Sequence, residues 1–173
     1  FVAGISPHQW IDETPCDGWD VRSLVNHLVA GNLWAAELAA GRTIADVGDR
    51  LDGDVLGSSP LHAYDQSAGV AAAAFEAPGV LEAPCAVSYG PVPGAVYAGH
   101  RFIDVLIHGW DIAVATGQSP TLDPALVDAC WDVLRPQLNE LQASGMFGSP
   151  AERPDSADPQ VGLLGALGRT ATT

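Results

Sequence analysis

The sequence predicts an all-α protein: an antiparallel bundle of four helices, with a long extended loop over 79–94 and a Pro-rich C-terminal tail. Three observations carry this expectation. Apolar residues recur at helical spacing in four long segments. Those segments are bounded by capping residues, Gly and Pro. One of them, 100–117, is apolar almost all round apart from a narrow stripe of His, Asp and Arg, whereas a surface helix keeps a broad solvated face.

The first long helix is expected near 19–40. Val21, Leu24, Val25 and Leu28 follow the helical repeat, and a second row of His27, Gly31, Trp34 and Leu38 runs beside them. Gly41 suits the C-terminal end. Residues 42–59, with Gly48, Gly53, Gly57 and several Asp, read as a surface loop. A second helix near 60–77 starts from Ser58 or Ser59 as cap, with Pro60 in its first turn. It carries Leu61, Tyr64, Ala68, Ala71, Ala72 and Phe75, and ends before Pro78. Pro84, Pro91 and Pro93 make 79–94 an extended connection with room for a short strand pair. The third helix spans about 95–116 and stops at Gly117.

A fourth helix, 123–144, is capped by Asp123 with Pro124 at its first position, and Pro136 should kink it. Residues 161–167 suit a short docking helix. Residues 1–5 read as the last turn of a helix begun upstream. The organisation expected is a helical domain over 1–145 followed by a tail over 146–173.

The 173 residues suffice for one domain with a sizeable core. Acidic residues outnumber basic ones by 21 to 7, for a net charge of −14, and every basic residue is Arg. Such a surface repels nucleic acid and anionic membranes. No run approaches the length of a membrane span. Cys16, Cys85 and Cys130 are odd in number and form no C-x-x-C, which favours buried thiols in a reduced compartment over a disulfide frame. The chain therefore reads as soluble and cytoplasmic.

At about 100° per residue, Tyr97, His100, Arg101, Asp104, His108 and Asp111 share one face of the third helix. Asp104 and His108, four apart, are neighbours on it. An ordinary ion pair on a wetted face would have the same spacing. His27, at a seam between apolar rows, reads alone as a hydrogen-bonded core histidine. Together the three match another pattern, in which one imidazole from one helix and an i,i+4 pair from another hold a metal with an open position. Asp in the set suits zinc and also nickel, iron or manganese. Cys16 has no cation beside it in sequence to activate it and reads as structural.

The segments T-P-C-D-G-W-D-V-R-S-L-V-N-H at 14–27 and R-F-I-D-V-L-I-H-G-W-D-I-A-V-A-T-G at 101–117 resemble the paired signatures of mycothiol-dependent maleylpyruvate isomerase-like proteins, within the DinB-like superfamily of four-helix metal proteins. The resemblance implies His27, Asp104 and His108 as ligands of a divalent metal, zinc foremost. It further implies a mycothiol-type thiol as cosubstrate, activated as thiolate, and hence a thiol-dependent isomerase or S-transferase. On this basis Arg101 is expected to bind a carboxylate of substrate or thiol. His100 is expected to move a proton or serve as a fourth ligand. Trp34 and Tyr97 are expected to wall the pocket. The partners implied are a small-molecule thiol and an electrophile, with no nucleic acid and no membrane; a homodimer is left open. Two other functions remain in view: a non-catalytic metal-binding or scaffold bundle, and a metal-dependent hydrolase.

Overall fold

The computed structural model describes residues 1–139 and 158–170. The chain is mostly helical, with one small two-stranded sheet among the described residues. It divides into two compact units, Phe1–Ser119 and Pro120–Thr173.

The first unit is built on three long helices. Helix α1, Val21–Ala39, begins where Asp20 accepts a hydrogen bond from the Ser23 amide, satisfying one of the donors a helix start leaves open. Within 42–59, expected as loop throughout, lies a single turn of helix, α2, Ile44–Val47. Its cause is a capping box: Thr43 and Asp46 exchange side-chain and backbone bonds, a T-x-x-D variant of the usual signature. Helix α3, Pro60–Glu76, starts with Pro60 in its first turn. Strands β1, Pro84–Val87, and β2, Gly90–Pro93, pair antiparallel, with Cys85 opposite Val92. Helix α4, Gly94–Ala115, follows directly. Its start has no side-chain cap; instead Gly94 and Ala95 donate to the carbonyls of Ala83 and Leu81, and a Cβ at Gly94 would run into the Val80 carbonyl. Residues 1–5, expected as the end of a helix, hold only a 3-10 turn, Val2–Gly4.

Helix α1 packs against both α3 and α4. One core cluster joins Leu24, Val25, Leu28 and Val29 of α1 to Val2, Leu56 and Ile112. A second joins Ala35 and Leu38 to Ala71, the hairpin residues Cys85 and Val87, and Tyr97. From the polar stripe of α4, Arg101 and Asp104 reach α1 at Leu28, Asn32 and His27.

In the second unit, helix α5, Pro124–Leu134, is capped by Asp123 as the sequence indicates. Pro136 falls in a 3-10 turn, Arg135–Gln137, consistent with its missing amide donor. Residues 140–144 of the helix expected to residue 144 lie outside the described residues. Helix α6, Pro159–Ala166, docks here: the Trp131 indole donates to the Pro159 carbonyl, and Gln160 bonds to Pro120 and Leu122. No helix among the described residues is long and apolar enough to cross a membrane.

Candidate metal centre

Three side chains converge where α1 meets α4. Nε2 of His27 lies 3.2 Å from Oδ1 of Asp104, and Nε2 of His108 lies 3.4 Å from the same oxygen. The two imidazole rings meet edge to face, with centroids 5.1 Å apart. One potential ligand atom from each of the three residues lies within 4.8 Å of the others. The helical repeat brings Asp104 and His108 together, and the crossing of α1 over α4 supplies His27.

The surrounding side chains fix this arrangement. Nδ1 of His108 faces Oδ2 of the fully buried Asp111 at 2.9 Å, which leaves Nε2 turned toward Asp104 and His27. On the other side Arg101 donates from Nη1 to Oδ2 of Asp104 at 2.7 Å. Its Nη2 donates to Oδ1 of Asn32 at 3.1 Å and toward the Leu28 carbonyl at 3.5 Å. Arg101 Nε is buried and finds no hydrogen-bond partner among the described residues, an arrangement that typically costs about 1–3 kcal/mol.

Charge follows the geometry. Burial alone would discourage ionisation of Asp104, but hydrogen bonds from His108 and His27 and the Arg101 charge outweigh it and hold its pKa well below the usual carboxylate range. Burial likewise opposes a charged His108, yet its bonds to Asp104, Asp111 and Cys16 dominate and push its pKa up to about 11. The metal-free cluster is thus a carboxylate held between cations.

Two further residues reach this centre from the turn before α1. Thr14 ties that turn together, accepting from the Cys16 amide and donating to the Trp19 carbonyl. Cys16 Sγ consequently lies 3.2 Å from Oδ2 of Asp111 and 3.7 Å from Nδ1 of His108. The Trp19 ring lies against His27, with centroids 4.9 Å apart, and 6.2 Å from the His108 ring. Beside His27 opens a cleft of about 580 Å³, lined by Trp19, Arg22, Ser23, Asn26, His27 and loop residues 51–54.

The other residues singled out from the sequence lie elsewhere. His100 bonds through Nδ1 to the Tyr89 hydroxyl of the hairpin, at 2.6 Å. Trp34 and Tyr97 pack in the second core cluster, where Tyr97 meets Phe75 edge to face; neither is among the residues that line the cleft. Cys16 and Trp19 are members to which the sequence assigns no part in the site, and Asp111 is one it places on the polar stripe without a role. Asp111 had a signal, its i,i+3 spacing from His108. Cys16 and Trp19 had none beyond membership in the 14–27 segment.

Fold and cluster together define a helical protein with a polar centre of two histidines and an aspartate between packed helices. The sequence model of the mycothiol maleylpyruvate isomerase N-terminal domain matches residues 1–113, and the chain belongs to that family. Two uncharacterized proteins from two strains of Mycobacterium tuberculosis are each 39% identical to it over 174 residues, spanning 98% of this chain and 90% of theirs. No solved structure matches the chain.

Proposed function

We propose that the protein is a divalent-metal-binding, thiol-dependent isomerase or S-transferase that acts on a small electrophile, with a mycothiol-type thiol as cosubstrate. The observation that carries this reading is the convergence of His27, Asp104 and His108. In a tetrahedral zinc site with bonds near 2.0–2.1 Å, neighbouring ligand atoms stand about 3.3 Å apart. The spacings from Asp104 Oδ1 to the two imidazole nitrogens are 3.2 and 3.4 Å. The donor set, two neutral imidazoles and one carboxylate, suits zinc, nickel, iron or manganese. Family membership supports the same assignment. The same reading places the long helices in a DinB-like antiparallel four-helix bundle, supported by the packing of α1 on both α3 and α4.

In this reading His27 Nε2, Asp104 Oδ1 and His108 Nε2 hold the ion. A bound divalent ion supplies Lewis acidity, which keeps a thiol sulfur deprotonated near neutral pH. Asp111 orients His108 by accepting a hydrogen bond from its Nδ1–H, an arrangement that fixes a ligating imidazole. Trp19 shields one side of the pair of imidazoles. The cleft beside His27 gives the thiol its approach, along a wall where Arg22 bonds to Asp54 and Asn26 bonds to the backbone of Gly53 and Val55. His100 bonds to Tyr89 of the hairpin, outside the trio, and takes no part in ligation in this reading.

The test is turnover of small electrophiles by metal-free and metal-restored protein, each with and without mycothiol. The account expects activity only when both metal and thiol are present. Turnover that needs metal alone would replace it with the hydrolase reading, and metal binding without turnover would replace it with the scaffold reading.

A further inference from the structure

Arg101 sits on the polar stripe of α4, where a guanidinium would ordinarily extend into solvent. Here its side chain is only 13% exposed. Its guanidinium closely approaches Gly31 of α1, where a Cβ would overlap it. Gly31 is inside a helix, a position where glycine is unfavourable relative to alanine. The close approach of Arg101 accounts for it. The fork is fastened at both ends. One end holds Oδ2 of Asp104 at 2.7 Å, and the other reaches Asn32. Asn32 in turn donates to Ser67 Oγ of α3 at 3.2 Å, and Ser67 donates to the Tyr64 carbonyl. Arg101 is therefore located by all three long helices of its unit.

We infer that Arg101, seated over Gly31, is a positioning residue that occupies Oδ2 of Asp104 and so restricts that carboxylate to presenting Oδ1 alone toward His27 and His108. This rests on the metal reading above. A carboxylate free at both oxygens can chelate an ion through both and fill a position that an incoming ligand needs. With Oδ2 engaged, the protein would offer an ion three donor atoms, His27 Nε2, Asp104 Oδ1 and His108 Nε2. Arg101 thereby acts on the metal through Asp104, and its guanidinium is not available to grip a substrate carboxylate.

Two opposing effects make the inference testable. By charge alone, removing a cation near a divalent ion should tighten binding. Loss of a group that orients a ligand instead typically weakens binding 10–100-fold. The experiment titrates the metal-free full chain with Zn²⁺ and with Co²⁺, whose visible absorption is strong in four-coordinate sites and weak at higher coordination. The variants are Arg101→Gln, Arg101→Lys and Gly31→Ala, each checked for folding by circular dichroism. Gly31→Ala leaves Arg101 in the chain and favours the helix backbone, so its effect reports the displaced guanidinium. The expected result is about 10–100-fold weaker binding for Arg101→Gln and Gly31→Ala, with a fainter Co²⁺ band. Arg101→Lys, which keeps the charge but not the fork, should fall between. If Arg101→Gln does not fold, the other two variants carry the test. Variants that bind as tightly as wild type, or more tightly, with the same spectrum overturn the inference. A wild type that binds neither ion overturns the metal reading itself, a distinct result.

Discussion

Oδ2 of Asp111 lies 2.9 Å from Nδ1 of His108, and no part of Asp111 is exposed. A buried carboxylate in contact with one ring nitrogen decides which of the two nitrogens is free to do chemistry. In this protein the choice falls on Nε2, the atom facing Asp104 and His27.

The first prediction follows from that contact. Asp111→Asn preserves shape but removes the charge that holds the Nδ1 proton. Zinc affinity should fall about 10–100-fold, measured by competition with a chromophoric chelator. Unchanged affinity would show that Asp111 has no part in orienting His108.

The second concerns pH. In metal-free protein the His108 pKa is raised to about 11, against roughly 6.5 unfolded. The stabilisation it contributes is complete below about pH 6.5 and is lost as pH rises toward that folded value. Asp104 is shifted the other way; its contribution is present above about pH 3.9 and disappears as pH falls. Urea midpoints of the metal-free protein should therefore be highest between about pH 4 and 6.5 and decline on either side. Ligation requires Nε2 of His108 without its proton, so metal uptake at neutral pH should release a proton and strengthen as pH rises. Calorimetric titration in two buffers of different ionisation enthalpy measures that release. A flat stability profile above pH 6.5, or uptake without proton release, contradicts the charge assignment.

Trp19 supplies the third prediction. Its ring rests on His27, so an ion bound by His27 should alter its emission. Zn²⁺ should change the tryptophan fluorescence of wild type, and Trp19→Phe should abolish most of that change while calorimetry still detects binding. Retention of the full signal would mean that the ion binds away from Trp19.

The long helices were legible because their chemistry is local. Leu24, Val25 and Leu28 mark the buried face of α1, Asp20 and Asp123 cap their helices, and Gly117 follows the end of α4 with φ +67°. The Asp104–His108 neighbourhood was legible for the same reason, since one turn of helix fixes it. Most tertiary contacts were not, and His27 was joined to that pair by the three-ligand pattern and the family resemblance rather than by a local rule. Cys16 reaches His108 across 92 positions of sequence, from a turn with no periodicity. The burial of Arg101 was concealed because an arginine on a polar stripe reads as solvated. Its one trace in the sequence was Gly31, a glycine in mid-helix with no capping role. Tyr97 shares the angular stripe of α4, yet it lies near the hairpin, and apolar packing with Phe75 and Cys85 takes it into the core.

The central claim is that His27, Asp104 and His108 hold one divalent ion, and metal content tests it most directly. Wild type, His27→Ala and His108→Ala would be purified, loaded with Zn²⁺, dialysed and analysed by mass spectrometry of the metal, with folding confirmed by circular dichroism. The account predicts about one ion per chain in wild type and little in either variant, because three protein ligands leave none to spare. Equal metal content in wild type and both folded variants would contradict it.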